Sequence, residues 1–297
     1  MPILGTVASQ FSGKFSPPSA GYVAQGTPGI NKFAFSSDTK TTMGVGLSGA
    51  TAAVGWANGT VAGYFGAEYG ASTGLIDKYD GPTFSKSTIS ATMGVATEGW
   101  GACSNDGTAA YWAGGYENVE VGGAPRNVYK LLYSNDTRST ISTGIYGGNY
   151  KSGLSNGNTA GYIYRGSPSS GSTVDKITFS SDVISTISAT ITNVYSRAAF
   201  ANGATAGYFA GGQPGYVSTI DKLTFSGETT STLAATLTSN RHGASGYSNS
   251  GTAGYAAGGY GSFAISDIDK IAYSSDTKST LSATLTAGRN FPGAFSL

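Results

Sequence analysis

The chain is nearly devoid of the residues from which reactive centres are usually assembled. It carries one cysteine, Cys103, and one histidine, His242, in 297 residues. A single thiol excludes an intrachain disulfide framework and a multi-cysteine metal site. Set among small apolar neighbours, Cys103 reads as an inert buried thiol. A single imidazole excludes any centre that needs two histidine ligands, and a Ser-His-Asp triad could draw on His242 alone. Charge is equally scarce. Charged residues make up 11% of the chain, 17 basic against 16 acidic, which lacks the clustered basic excess of a nucleic-acid surface. No stretch sustains a 3.6-residue period with caps, and none is long and apolar enough for a membrane-spanning helix, so no membrane insertion is expected. The opening Met1-Pro2-Ile3-Leu4-Gly5 has neither the basic region nor the apolar run of a signal peptide.

Glycine, by contrast, is abundant. The 46 glycines accompany 39% hydrophobic and 12% aromatic residues, too much apolar content for a disordered chain. They fall at repeating positions, as turns and tight packing require. The repeat is carried by two marks. A lysine in an apolar strand recurs at Lys32, Lys78, Lys130, Lys176, Lys222 and Lys270, in steps of 46, 52, 46, 46 and 48 residues. A threonine before an apolar residue recurs at Thr42, Thr88, Thr140, Thr186, Thr232 and Thr280, in the same steps. Two marks that gain and lose residues together define a structural module, and a period in this range signals an array.

Each unit reads as four short strands. A small-residue segment such as Arg241 to Tyr247 comes first and ends in an Asn-Gly or related hairpin turn. Thr205 to Ala210 exemplifies the second strand, with a tyrosine recurring at Tyr22, Tyr64, Tyr111, Tyr162, Tyr208 and Tyr255. After a variable loop comes the third, Ile220 to Phe225, in which Asp221 and Lys222 point to opposite faces. A polar Ser-Ser-Asp-Thr turn leads to a threonine-rich, half-exposed fourth strand. Four strands in about 40–50 residues make a propeller blade, and six units make a six-bladed ring. The last unit runs on through Arg289 to Phe295 as a first strand, whereas the first recognisable element is a second strand near Tyr22. The expected fold is therefore all-β, a six-bladed propeller over residues 20–297 closed by the C-terminal strand, preceded by a leader or anchoring arm at 1–19.

The order of marks in Gly207-Tyr208-Phe209-Ala210-Gly211-Gly212 through Ile220-Asp221-Lys222-Leu223-Thr224-Phe225 resembles kelch repeats, with Thr-Leu or Thr-Ile standing where that family carries a tryptophan. The Gly/Ser/Thr-rich wording, and the opening Met1 to Ser9, also look like virion and tail-fibre proteins of aquatic phages. That resemblance implies a non-enzymatic virion protein, tail-associated or on the particle surface. Its expected partners are other virion proteins and a host-surface glycan or protein, with oligomers forming only through the assembly. A free carbohydrate-binding propeller is the alternative, and a glycan hydrolase or lyase a third.

The residues themselves supply no catalytic constellation, metal site or cofactor motif. No Gly-x-Ser-x-Gly elbow or phosphate loop is present. Glu117 and Glu120 form the one local acidic pair, but a shared loop does not fix the separation that glycoside hydrolysis needs. His242 reads as a rim residue, and Trp56, Trp100 and Trp112 as strand residues of the core. The repeated lysines read as stems packed between blades, their heads reaching water or a turn carboxylate. Recognition is then expected in the loops that vary. Gly115 to Asn127 is the longest and offers Tyr116, Glu117, Glu120 and Arg126 as candidate binding residues. Others run from Tyr69 to Leu75, Arg165 to Ser172, Gln213 to Ser218 and Tyr260 to Ser266.

Overall fold

The computed structural model describes residues 17–24, 29–49, 53–67, 74–94, 100–114, 125–146, 150–166, 172–288 and 290–297. These form six four-stranded antiparallel sheets, with no helix among the described residues. The sheets are the blades of a six-bladed β-propeller. Blade 1 pairs Gly293–Ser296, innermost, with Ala20–Ala24, Ile30–Ala34 and Thr39–Met43. Blade 2 begins at Ala53–Asn58, blade 3 at Trp100–Asn105, blade 4 at Ser152–Asn156, blade 5 at Ala198–Asn202 and blade 6 at Ser245–Asn249. Each innermost strand touches the next in cyclic order, including blade 6 to blade 1. Closure is by the C-terminal strand, as expected: Tyr22 pairs with Phe295 and Gly21 with Ser296. Leu297 N–H donates to Ala20 O, and Ser19 and Ala20 N–H to Leu297 O.

The innermost strands crowd the axis, and their second inward position alternates strictly: Gly55, Ala102, Gly153, Ala199, Gly246, Ala294. A Cβ at Gly55 would lie 2.3 Å from Ala294 O, one at Gly153 2.4 Å from Ala102 O, and one at Gly246 2.0 Å from Ala199 O. Glycine is needed there because a neighbouring backbone fills the space of a side chain. The hairpin turns that follow take positive φ at glycine alone, 52° at Gly59 and 49° at Gly203, and not at the preceding asparagine. Asn58 instead reaches across the seam, where its Oδ1 accepts Gly107 N–H of the next blade at 2.6 Å.

The lysine mark is an inter-blade clamp. Lys78 Nζ meets Asp136 at 2.7 Å, Lys130 meets Asp182 at 2.7 Å, Lys176 meets Glu228 at 2.6 Å, Lys222 meets Asp276 at 2.6 Å and Lys270 meets Asp38 at 2.6 Å. Every acid sits in the third-to-fourth-strand turn of the following blade, at positive φ. The repeated tyrosine of the lysine's own blade donates to the same acid, as Tyr208 does to Asp276 at 2.8 Å, while Lys222 Nζ lies 5.5 Å from the Tyr208 ring. One seam differs. Between blades 1 and 2 the turn residue is Phe84, stacked on Tyr22 at 4.5 Å, and Lys32 has no carboxylate partner among the described residues.

The threonine mark belongs to a second network. The acid beside the lysine accepts from the threonine eleven positions on: Thr88 to Asp77, Thr186 to Asp175, Thr232 to Asp221 and Thr280 to Asp269. Asp77, Asp221 and Asp269 also take an N–H and a hydroxyl from the connection entering their own blade, at Ser48, Thr192 and Thr238. Asn31 does the same with Thr286. The two marks keep one spacing because blades 2, 4, 5 and 6 use both, the lysine to grip the next blade and the threonine to hold the acid beside it.

Candidate functional site

With the repeated polar residues engaged in seams and anchors, the chemistry that does not repeat gathers at one mouth of the central channel. This is the face bearing the second-to-third-strand loops and the connections between blades. Four connecting residues, Tyr150, Ser196, Gly243 and Phe291, occupy equivalent places two positions ahead of an innermost strand, all at positive φ. They join in a chain of peptide hydrogen bonds around the mouth. Ala53 N–H donates to Phe291 O at 3.3 Å, Phe291 N–H to Gly243 O at 2.8 Å, Gly243 N–H to Ser196 O at 2.7 Å and Ser196 N–H to Tyr150 O at 3.3 Å.

Aromatic rings form a series of their own, in which the connections at the two ends of this chain meet directly. Tyr195 stacks on Tyr150 at 5.8 Å and Tyr150 on Phe291 at 5.3 Å. Phe291 meets His242 edge-on at 5.9 Å, and His242 stacks on Tyr216 at 5.1 Å, with Tyr260 6.0 Å away. All but His242 are half-buried, presenting part of a ring to the surface. Tyr216 and Tyr260 come from two of the loops named in the sequence. Phe263, near the tip of the Tyr260 loop, is 82% exposed, far more than any other large hydrophobic residue described.

Adjoining these rings at Tyr150 and Phe291 is a cavity of about 100 Å³ bounded by all six innermost strands. Lys151 and Arg197 line it, and no aspartate or glutamate does. Lys151 Nζ donates to Arg165 O at 3.1 Å. Arg197 is anchored from behind, through Nη1 to Asp221 and through Nη2 to Phe209 O at 2.8 Å. Three donors on lining residues have no protein partner: Ser196 Oγ, Ser245 Oγ and Arg197 Nε. Buried polar groups are nearly always satisfied, so such a cluster calls for an explanation.

His242 lies at the rim, but it is buried and not part of an exposed loop. Its backbone exchanges hydrogen bonds with Tyr260 at 3.0 and 2.8 Å, and Nδ1 has no protein partner. Burial lowers its pKa, favouring the neutral imidazole. The second arginine nearby, Arg241, is fully buried against Asp269 and also donates to Gly258 O at 3.1 Å. Burial pushes both arginine pKa values down while their acids raise them. Burial also pushes the two carboxyls up, yet Arg197 with Thr232 and Thr192, and Thr238 with Arg241 and Thr280, hold Asp221 and Asp269 below the ordinary carboxylate range. These are matched, ionised pairs that fix the connections.

The opposite mouth holds a cavity of about 430 Å³ reached by Pro17, Pro18 and Asp106. Its serines are used across strands: Ser104 N–H donates to Ser155 Oγ at 2.7 Å, and Ser248 Oγ to Ala201 O at 2.7 Å. Desolvation raises the Asp106 pKa, opposed by the Gly59 N–H it accepts at 3.2 Å. Among the described residues no group of three or more potential metal ligands converges.

Of the candidate residues named from the sequence, Tyr116, Glu117 and Glu120 lie outside the described residues. Arg126 is described in its backbone alone, which pairs with Ile145. The three tryptophans are core residues, Trp56 stacked on Trp112 at 5.3 Å and Trp112 donating to Met93 O at 3.0 Å. Cys103 is buried, its thiol pKa pushed up by desolvation. Tyr150, Ser196, Arg197 and Phe291 escape a reading by repeats because they fall in connections whose wording varies, and Ser245 because it opens an innermost strand where no residue type recurs in every blade. The detectable signal is an aromatic two positions ahead of an innermost strand. Comparison with protein-family models and with curated proteins gives no match to this chain.

Proposed function

We propose that the chain is a non-enzymatic recognition propeller serving adhesion at the surface of a virion. In this reading the loop-bearing mouth contacts a host surface or a neighbouring virion protein. One observation carries the reading: the polar residues that recur in the blades are engaged in seams and anchors, whereas unpaired donors and half-exposed rings collect at a single mouth. A rigid ring with one divergent face is the arrangement expected of a scaffold that displays a contact surface. Matched buried pairs, in place of a carboxylate or imidazole poised beside a nucleophile, favour recognition over chemistry. The virion setting draws on the Gly/Ser/Thr-rich repeat wording and on the low charge.

The test joins two measurements. Mass spectrometry of purified particles is expected to find the chain, and the isolated propeller is expected to compete with particles for adsorption to host cells. Absence from particles, together with no competition, would refute the reading.

A further inference from the structure

The opposite mouth carries chemistry that the adhesion reading does not use. Its cavity of about 430 Å³ falls within the roughly 300–1,000 Å³ of a whole-ligand pocket. Asp106 is the one charged residue among the described residues that line it. The turn acids hold lysines, and Asp175, Asp221 and Asp269 hold arginines. Asp106 has no cation among the described residues. One of its carboxylate oxygens accepts Gly59 N–H at 3.2 Å, and the other has no partner. The residue is half-buried and so keeps surface at the mouth. Desolvation opposes its ionisation, a cost to the fold that a bound cation would offset. Thr60, next to Gly59 in the chain, shares the rim, and its hydroxyl has no partner among the described residues.

Two residues beyond the Gly/Ala ring, the innermost strands present Ser104, Ser155, Ser248 and Ser296, all half-buried. Ser104 and Ser248 donate their hydroxyl protons to Ala57 O and Ala201 O. Ser155 and Ser296 instead accept the N–H of Ser104 at 2.7 Å and of Ser248 at 3.1 Å. Their own protons have no acceptor among the described residues. They belong to blades 4 and 1, which stand opposite each other across the channel. The mouth thus combines an acid lacking a cation with hydroxyl donors lacking an acceptor. A hydroxylated amine supplies both, because an ammonium only donates and a hydroxyl oxygen accepts. A metal ion fits less well, since no group of three or more potential ligands converges among the described residues.

We propose that this mouth binds an amino sugar, its ammonium on Asp106 and Thr60 and its hydroxyl oxygens facing Ser155 and Ser296. The site is separate from the loop-bearing mouth, and the proposal does not rest on the adhesion reading.

Isothermal titration calorimetry of the full chain at about pH 6.5, where an amine is protonated, tests it with glucosamine, N-acetylglucosamine, glucose and butylamine. Glucosamine is expected to bind. N-acetylglucosamine and glucose lack the charge and butylamine lacks the hydroxyls, so each should bind about 10-fold or more weakly. Asp106→Asn keeps an acceptor for Gly59 N–H and should weaken glucosamine binding about 10-fold or more without lowering the melting temperature. Ser155→Ala with Ser296→Ala, its folding checked by circular dichroism, should weaken binding about 10-fold from the other side of the ligand. Lys14→Met removes the one charged side chain of residues 1–16 and should leave the affinity unchanged. Equal affinity for glucosamine and N-acetylglucosamine, full affinity in Asp106→Asn, or no binding of glucosamine would each overturn the proposal. Binding that appears only in Lys14→Met would also overturn it, by giving the mouth to the chain's own lysine.

Discussion

Asp269 and Arg241 offer a sharp test of how the blades hold the chain that enters them. Both side chains are fully buried, and Asp269 additionally accepts from Thr238 N–H at 2.9 Å, Thr238 Oγ1 at 2.6 Å and Thr280 Oγ1 at 2.8 Å. Asp269→Asn strands a buried guanidinium without its paired anion, which costs about 3–5 kcal/mol. Replacing both partners, Arg241→Met with Asp269→Asn, removes the charge problem. Blade 1 already shows that an amide serves at this position, because Asn31 Oδ1 accepts Thr286 N–H at 2.9 Å. Loss of the charged hydrogen bonds leaves the double variant about 1–3 kcal/mol below the parent. It should therefore be the more stable of the two by about 2 kcal/mol, or roughly 4 °C in melting temperature. Urea unfolding followed by circular dichroism measures this. A double variant no more stable than Asp269→Asn would refute the claim that the buried charge dominates. Acid adds a check with a definite sign. Since Asp269 is held below the ordinary carboxylate range when folded, its contribution is present above the unfolded value near 3.9 and is lost as pH falls through the folded one. Asp269→Asn should accordingly flatten the acid limb of the stability profile.

Other perturbations separate the parts of the ring. Lys222→Met removes a half-exposed clamp and should cost about 0.5–1.5 kcal/mol in low salt and less in 1 M salt, whereas Lys32→Met, without a turn acid, should cost under about 0.5 kcal/mol; equal losses in thermal melts would contradict the clamp. Gly246→Ala forces a methyl against Ala199 O and should destabilise by at least about 1–3 kcal/mol, so an unchanged denaturation midpoint would show that the axis is looser than described. Asp106→Asn should raise the melting temperature at pH 7, because desolvation opposes ionisation there, and the gain should vanish at about pH 3, where the parent carboxyl is protonated. Deleting Gly293 to Leu297 bares the Ala20–Ala24 edge and removes Phe295 from the core. Loss of cooperative unfolding and concentration-dependent association on size exclusion are expected, and a sharp monomeric transition at the parent temperature would count against closure by this strand.

Spacing carries the blade count, because a one-blade unit repeats its strand-facing pattern whatever the loops do, and the strand types at the two chain ends carry the point of closure. It also carries the lysine's role, since a cation in an otherwise apolar strand must lead its head out to a turn. The partner's identity as the next blade's turn acid is not readable, because it depends on how blades stack. The same limit hides the mouth. Tyr150, Ser196, Gly243 and Phe291 share no residue type, and what they share is a backbone conformation and a chain of peptide hydrogen bonds. Glu117 and Glu120, paired by their proximity in sequence, lie outside the described residues.

The one seam without a clamp clarifies what the clamp is for. Between blades 1 and 2, Phe84 replaces the turn acid and meets the rings of Tyr22 at 4.5 Å and Tyr79 at 5.0 Å, while Tyr22 stacks on Phe295 at 5.4 Å. An aromatic pair contributes about 0.5–1.5 kcal/mol beyond its area, comparable to an ion pair with a cation held over a ring. Two chemistries of similar strength thus hold equivalent joints, so the ring requires adhesion between blades and not a particular residue. The clamp positions are free to change only if their partner changes with them, which keeps the repeat regular. At the mouth the connections are held by peptide hydrogen bonds at positive φ and by the anchors at Thr192, Thr238 and Thr286, which fix the backbone and leave the loop side chains beyond them to vary. Divergence is therefore least constrained where the unpaired donors and exposed rings are found, and this is why recognition is placed there.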